Sequence, residues 1–446
     1  MNFVIIGGDA AGMSAASRAK RTRPEMRITV IEKTRDVSFS ACGMPYNIAD
    51  SARSMEDLVV RKADAFQKQG IDMMMGHAAE QIDRNDKTVT GVTDSGKPFA
   101  IGYDSLLIAT GARPVLPDIP GINLPGVMVL KHLEDGRRIK SFIQKENVSK
   151  AVIIGMGYIA MEMCEALCSL DIQVSMIKPK SGLLPWMNDQ LSAFVQQALE
   201  ARKVSLYQGV AIHRIEQAKD GLVVRCDGIE LSAGMILVAT GIQPNSEMAA
   251  TAGLETGIGR AISTDRYLRT SDPRIYAAGD CADAFHVVTG KKTWIPLALR
   301  ANRAGWAAAD NVCGKPASLP GIVGTAVFRV FDLEVARTGL SMREAVDAGF
   351  SPVDVVIEGR SRAHAHPGSS AIWVHMIGDP VSGRLLGVQM VGREGVSHRI
   401  NAPAVALHTH MTVADFTQMD LAYAPPFGPV WDPLLTAANQ LVKKIA

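Results

Sequence analysis

The run Asn2-Phe3-Val4-Ile5-Ile6-Gly7-Gly8-Asp9-Ala10-Ala11-Gly12 decides the fold of this chain. It reads as an apolar strand that ends in a glycine turn. A helix follows from about Met13 to Arg23, where Pro24 stops it, and a second apolar strand, Arg27 to Ile31, closes on Glu32. Strand, glycine turn, helix, strand and terminal acid make the layout of a dinucleotide site. Gly7 allows the tight turn, and Gly12 lets the helix settle on the strand. The free N–H groups at the helix start meet a pyrophosphate, and Glu32 can accept hydrogen bonds from ribose hydroxyls. Asp9 stands where the middle glycine of the usual pattern belongs. A carboxylate repels a neighbouring pyrophosphate, so its side chain is expected to point away.

The layout recurs. Residues 151–155 are again an apolar strand, and Gly155-Met156-Gly157-Tyr158-Ile159-Ala160 is a second glycine turn. A helix runs on through Leu170, followed by the strand Gln173 to Ile177. Each unit is answered later by an apolar strand with the same ending, Ile108-Ala109-Thr110-Gly111 and Val238-Ala239-Thr240-Gly241. Two such units, the second inserted in the first, imply two dinucleotides. Where Glu32 ends the first unit, Lys178 ends the second, with Lys180 just beyond. Two ammonium groups there favour the 2′-phosphate of NADPH; NADH is the alternative.

At 446 residues and 47% apolar, the chain can build several cores. A formal net charge of +2 makes no global case for nucleic acid or a membrane surface. No window approaches the ~20 apolar residues of a spanning helix. The first strand begins directly after Met1, which leaves no room for a signal peptide, so a cytoplasmic, reduced protein is expected. The six cysteines, at 42, 164, 168, 226, 281 and 313, show neither a disulfide framework nor metal-ligand spacing, and no metal is expected. Cys164 and Cys168, four apart on an apolar helix, read as core.

Cys42 reads differently. It sits in Ser38-Phe39-Ser40-Ala41-Cys42-Gly43-Met44-Pro45-Tyr46, a few residues after the first nucleotide unit. Gly43 and Pro45 restrict this loop and allow a close approach to a flat ring. With Asn47 at the CxxxxC position, no neighbouring dithiol exists. A thiol placed beside a bound cofactor suits redox chemistry, and nucleophilic attack needs the thiolate, so its pKa is expected to be depressed.

Further along, Tyr276 to Asp283 return to the first unit, where Asp280 can hold ribityl hydroxyls of a flavin. Ile295-Pro296-Leu297-Ala298 opens a helix whose first amides would face the flavin and stabilise negative charge there. From Gly324 onward, strands over 326–331, 351–358, 371–376 and 385–391 predict an antiparallel sheet. Two helices follow, and then the tail Ala422-Tyr423-Ala424-Pro425-Pro426-Phe427-Gly428-Pro429-Val430-Trp431-Asp432-Pro433. Such a stiff, apolar tail is expected to pack onto a second subunit.

Taken together, the paired glycine turns, both Ala-Thr-Gly strands, Ala277-Ala278-Gly279-Asp280, the Cys42 loop and the tail resemble one family over essentially the whole chain. This is the single-cysteine branch of the FAD-dependent pyridine nucleotide–disulfide oxidoreductases. The branch holds coenzyme A-disulfide reductases, NADH oxidases and peroxidases, and persulfide or polysulfide reductases. The resemblance implies an α/β chain of two Rossmann-like domains plus an α+β dimerisation domain. Its division would be 1–112 and 246–322 for FAD, 113–245 for NAD(P)H, and 323–446 for dimerisation. FAD would meet Gly7, Ala11, Gly12, Glu32, Lys33, Ala79, Thr110, Gly111, Asp280 and Ala298. NAD(P)H would meet Gly155, Gly157, Tyr158, Ile159, Glu162, Lys178, Lys180 and Gly241.

The resemblance also implies a homodimer whose tail reaches the partner's flavin and cysteine, with Tyr423 as proton donor or as interface packing. Coenzyme A would enter as substrate, product or bound ligand, along a channel lined by Ser14, Arg18, Arg21, Ser38 and Arg61. Arg18 and Arg21 share a helical face and either hold nucleotide phosphates or complement the helix dipole. Oxidases and peroxidases of the family carry a histidine in the first glycine loop; here Ala10 and Ala11 occupy it. Coenzyme A-disulfide reductases commonly have asparagine before the cysteine and tyrosine before a Pro-Gly turn. This chain has Ala41, and then His364 and His366 ahead of Pro367-Gly368.

The implied reaction is reduction of a low-molecular-weight disulfide or persulfide, coenzyme A disulfide first, with Cys42 forming a mixed disulfide. Polysulfide or sulfur reduction, NAD(P)H oxidation through a cysteine sulfenate, and a redox-governed binding protein are the alternatives.

Overall fold

In the computed structural model, which describes residues 1–445, the first strand β1 (Asn2–Ile6) leads into helix α1 (Ala10–Thr22) and strand β2 (Arg27–Glu32). Strands β3 (Ile71–Met75) and β4 (Ser105–Ile108) join them in one parallel sheet. Its order is Ile275–Ala277, β4, β1, β2, β3, so the chain does return to its first sheet after the second unit. Parallel strands need cover on both faces. Here α1 and helix-borne alanines lie on one side, and Ile82, Val89, Tyr103 and Ile262 on the other.

The second unit repeats the topology. Strand β5 (Lys150–Ile154), helix α2 (Tyr158–Cys168), strand β6 (Gln173–Lys178), helix α3 (Asp189–Ala201) and strands β7 (Ser205–Gln208) and β8 (Met235–Val238) follow in turn. The sheet runs β7, β6, β5, β8, Val127–Met128, all parallel. The duplication legible in the glycine turns is therefore a duplication of sheets. Helix α4 (Ala298–Val312) packs on α1 so closely that a Cβ on Gly305 would lie 2.2 Å from the Ala11 carbonyl oxygen.

The C-terminal sheet comprises β9 (Ala326–Val330), β10 (Leu333–Gly339), β11 (Val353–Arg360), β12 (Ala371–Gly378) and β13 (Leu385–Gly392), antiparallel in the order β9, β10, β13, β12, β11. Helix α5 (Pro433–Ile445) buries Leu434, Leu435, Ala437, Ala438 and Leu441 against this sheet.

Three local expectations change. Helix α1 starts at Ala10 rather than near Met13, because extended Asp9 ends the turn and Gly12 already lies in the first helical turn. Strand β10 escaped the sequence reading because Glu334 and Arg337 interrupt its apolar pattern. Tertiary partners satisfy both: Glu334 accepts the Val396 and Ser397 amides at 2.8 Å, and Arg337 pairs with Glu344. The proline-rich tail is a strap rather than the end of the chain, since α5 follows it.

Candidate active site

Cys42 lies in a single turn of 3-10 helix, Ala41–Gly43, which runs into the short helix Met44–Ala49 with Pro45 in its first turn. The turn cannot drift. The Ser38 amide donates to Gly8 O (3.0 Å), the Phe39 amide to Asp9 Oδ1 (3.3 Å) and the Ser40 amide to Leu58 O (2.8 Å). Ser38 holds φ at 49°, and a Cβ on Gly43 would meet Leu58 Cδ2 at 2.4 Å. The loop is thus fastened to the glycine turn of the first unit. It also reaches the second: Tyr46 Oη donates to Glu162 Oε1 on α2 at 3.1 Å. Burial, then Glu162, pushes the Tyr46 phenol up to about 12, so it remains a proton-bearing donor.

The Cys42 thiol is exposed, and all six cysteines are free. Its expected depression is not supplied by the protein's own groups. Enclosure by the surrounding protein pushes the thiol pKa up, and Glu162, Asp280 and Asp9 push in the same direction, opposed by Lys131. The physical reason is a ring of carboxylates around a half-enclosed sulfur. Asp9 itself is raised to about 6, chiefly by burial. Its side chain does turn away from the glycine-turn amides, toward Phe39.

Around this centre the glycines are used as the turns require. Gly7 and Gly155 have φ of 112° and 126°, and a Cβ on either would sit 2.2 Å from a carbonyl oxygen of the answering strand, Ala109 or Ala239. A Cβ on Gly12 would sit 1.8 Å from Gly7 O. Gly157, Gly111 and Gly241 have no protein atom within 4 Å of that position, so space is left open beside both turns. The first amides of α1 and α2 have no intrahelical acceptor, and together with this space they fit two dinucleotide pyrophosphates.

Glu32 does more than await a ribose: its carboxylate accepts the Gly8 amide and both the amide and hydroxyl of Thr34, each at 2.7 Å. A carboxylate has room for about one further donor. Thr110 and Asn245 exchange hydrogen bonds of 2.6 and 2.8 Å where the two domains cross. Asp280 is paired with Lys131 Nζ at 3.0 Å. The sequence gives no sign of Lys131 or of buried Arg300, which donates to the Gly279 and Ala282 carbonyls at 3.1 and 2.9 Å and holds the Asp280 turn. Neither lies in a motif. Ala298 begins α4, Lys33 is exposed beside the first sheet, and Ala79 sits at a register shift in the hairpin 77–93.

In the second unit, Tyr158 opens α2, stacks on Trp186 (5.8 Å, 22°) and meets Phe328 edge-on at 5.0 Å; Ile159 is half-buried beside it. Lys178 and Lys180 are not equivalent. Lys178 Nζ donates to Gly182 O (2.7 Å) and Leu183 O (3.3 Å), whereas Lys180 is exposed.

The residues expected to line the substrate channel divide similarly. Ser14 donates to Asn302 (2.6 Å), and Arg18 grips Asp310 on α4 through two bonds of 2.8 and 2.9 Å. Arg21 is exposed, and Arg61 lies 5.0 Å over the Phe66 ring. Tyr423 is half exposed, and no hydrogen bond among the described residues joins it to the Cys42 loop of its own chain. The strap around it is fixed by Arg399, which bonds Asp432 (2.7 Å) and Phe427 O (2.9 Å), and by Ala363 N to Pro425 O (3.0 Å). The loop carrying His364 and His366 is thereby joined to it, while Phe427, Val430 and Trp431 stay exposed.

Comparison with known proteins agrees with this geometry. The chain is 38% identical over 440 residues to the "NAD(P)H sulfur oxidoreductase (CoA-dependent)" of Pyrococcus furiosus, covering 98% of each. Among solved structures, a NAD-dependent persulfide reductase from A. fulgidus superposes with a TM-score of 0.96 at 38% identity, over all of this chain and 83% of that one. The reduced Bacillus anthracis CoADR-RHD gives 0.96 at 31% identity, over all of this chain and 80% of that one. Residues 1–305 match the pyridine nucleotide-disulphide oxidoreductase family, and residues 325–433 match its dimerisation domain. The chain therefore belongs to the pyridine nucleotide-disulphide oxidoreductases and is an FAD-dependent NAD(P)H oxidoreductase.

Proposed function

We propose that this enzyme reduces the sulfur–sulfur bond of a coenzyme A disulfide or persulfide with NAD(P)H, through Cys42 alone. One observation carries the reading. An exposed thiol with no partner cysteine is hydrogen-bonded through its loop to the first glycine turn and, by Tyr46 and Glu162, to the helix of the second. It thus lies where the two nucleotide units meet. FAD, when bound, relays an electron pair from NAD(P)H to sulfur. Residues 1–112 and 246–322 would hold it, 113–245 the NAD(P)H, and 323–446 would pair two subunits.

The chain's own part is as follows. The Cys42 thiolate attacks the substrate sulfur, a Cys42–S–S–R bond forms, and the other half leaves as a thiol or hydrosulfide. Two-electron reduction of that mixed disulfide restores the Cys42 thiolate and frees RS–, which takes up a proton. The balance is NAD(P)H + H+ + RSSR′ giving NAD(P)+ + RSH + R′SH. Because carboxylates surround the sulfur, Lys131 is the protein cation that favours its ionised form. Lys180 reads a 2′-phosphate, which favours NADPH. Arg18, Arg21 and Arg61, with Ser14 and Ser38, line the approach of the coenzyme A nucleotide. In a homodimer the strap brings Tyr423 to the partner's site as the proton donor for the leaving thiol. A cytoplasmic, reducing setting suits a free thiol that must cycle.

The test is Cys42→Ser. NADPH should still bleach the flavin in an anaerobic stopped-flow experiment, while turnover with coenzyme A disulfide and persulfide disappears. Retained turnover refutes the assignment. Oxygen consumption without a sulfur substrate would favour the oxidase reading instead.

A further inference from the structure

The loop between β6 and α3 follows directly on Lys178 and carries Lys180 and Trp186, and it is held from outside its own domain. Gln389 lies on β13 of the C-terminal sheet and is 2% exposed. Its side-chain nitrogen donates to Trp186 O at 2.8 Å, and its oxygen accepts the Asn188 amide at 2.7 Å. A buried amide that satisfies two backbone groups of another domain fixes their position, since losing it leaves both unpaired. The Trp186 ring is then clamped. Tyr158 stacks on it (5.8 Å), and the Arg337 guanidinium lies 4.9 Å from its centroid. Phe328, Arg337 and Gln389 all belong to the C-terminal domain. Beside Gln389, directly opposite on β12, stands buried His375, bonded to Asp354 at 2.7 Å.

We infer that Gln389 is a positioning residue for NAD(P)H: the C-terminal domain sets the posture of the nucleotide-reading loop and places Trp186 against Tyr158 at the start of α2. The inference rests on the reading of 113–245 as the NAD(P)H domain. It makes nucleotide affinity depend on a residue that touches neither nucleotide nor flavin, and leaves the sulfur side alone.

The test compares the FAD-loaded wild type with Gln389→Met, of similar size but without the amide. The Kd for NADP+ by calorimetry and the KM for NADPH should each rise about tenfold. The kcat at saturating NADPH and the KM for coenzyme A disulfide should stay within about twofold. Unchanged NADP+ affinity, or an equal change in both KM values, overturns the inference. A wild type that binds neither NADP+ nor NAD+ refutes the underlying domain reading instead, and if only NAD+ binds, the same comparison is made with NAD+ and NADH. Should Gln389→Met fail to fold, hydrogen exchange on the wild type decides. The Asn188 amide should be protected without nucleotide, and the amides of residues 180–182 should slow only when NADP+ is added. Fast exchange at Asn188 overturns the proposal.

Discussion

Replacing Asp9 by asparagine isolates the cost of putting a carboxylate inside the glycine turn. Asparagine keeps an oxygen to accept the Phe39 amide, bonded at 3.3 Å in the native protein. Burial is the largest influence on Asp9 and raises its pKa from 3.8 to about 6, with Lys131 opposing, and Glu32 and Asp280 reinforcing. Below 3.8 both folded and unfolded chains carry the proton, and the residue contributes nothing. Between 3.8 and about 6 the folded chain keeps a proton that the unfolded chain has released, so stability falls as pH rises. Above about 6 the full cost is present. That interval, at about 1.4 kcal/mol per pH unit, sets a ceiling of about 3 kcal/mol. The assay is the Tm of the two apoproteins between roughly pH 4.5 and 8. Asp9→Asn should be the more stable at the alkaline end, by up to roughly 5–10 °C for a domain of ordinary size. The advantage should shrink steadily toward acid. A difference independent of pH, or one that grows toward acid, would refute the burial argument.

Three other outcomes follow from the site. Gly12→Ala places a methyl 1.8 Å from Gly7 O and must lever α1 off β1, so the purified protein should have lost most of its flavin absorbance. Lys180→Ala should reduce kcat/KM for NADPH about tenfold and leave that for NADH nearly unchanged, because Lys178 is already engaged with its own loop. Equal losses with both nucleotides would show that Lys180 only shapes the loop. Tyr423→Phe should slow sulfur reduction several-fold while the flavin is reduced by NADPH at the normal rate; an unaltered turnover would make the tyrosine interface packing only.

Much of this protein is written locally. Gly7 and Gly155 must adopt positive φ against an answering carbonyl, and that need shows directly as glycine after an apolar strand. The central strands of each nucleotide sheet show as continuous apolar runs, whereas the edge strands Ser205–Gln208 and Val127–Met128 do not, and Cys42 stands out because its loop follows the first unit so closely. Other features were invisible because their partners lie far apart in sequence. The Lys131–Asp280 pair, the grip of Arg18 on Asp310, and the hold of Gln389 on Trp186 all join distant segments. None leaves a periodic trace, and each looks like an ordinary solvated or strand residue when read alone. Strand β10 was hidden for the same reason, its charges being satisfied only by residues near 344 and 396. Local pattern alone marks two nucleotide units and singles out one candidate sulfur, Cys42. The tertiary structure decided the field around that sulfur, because burial and the approach of Glu162, Asp280 and Asp9 arise only when separate segments converge.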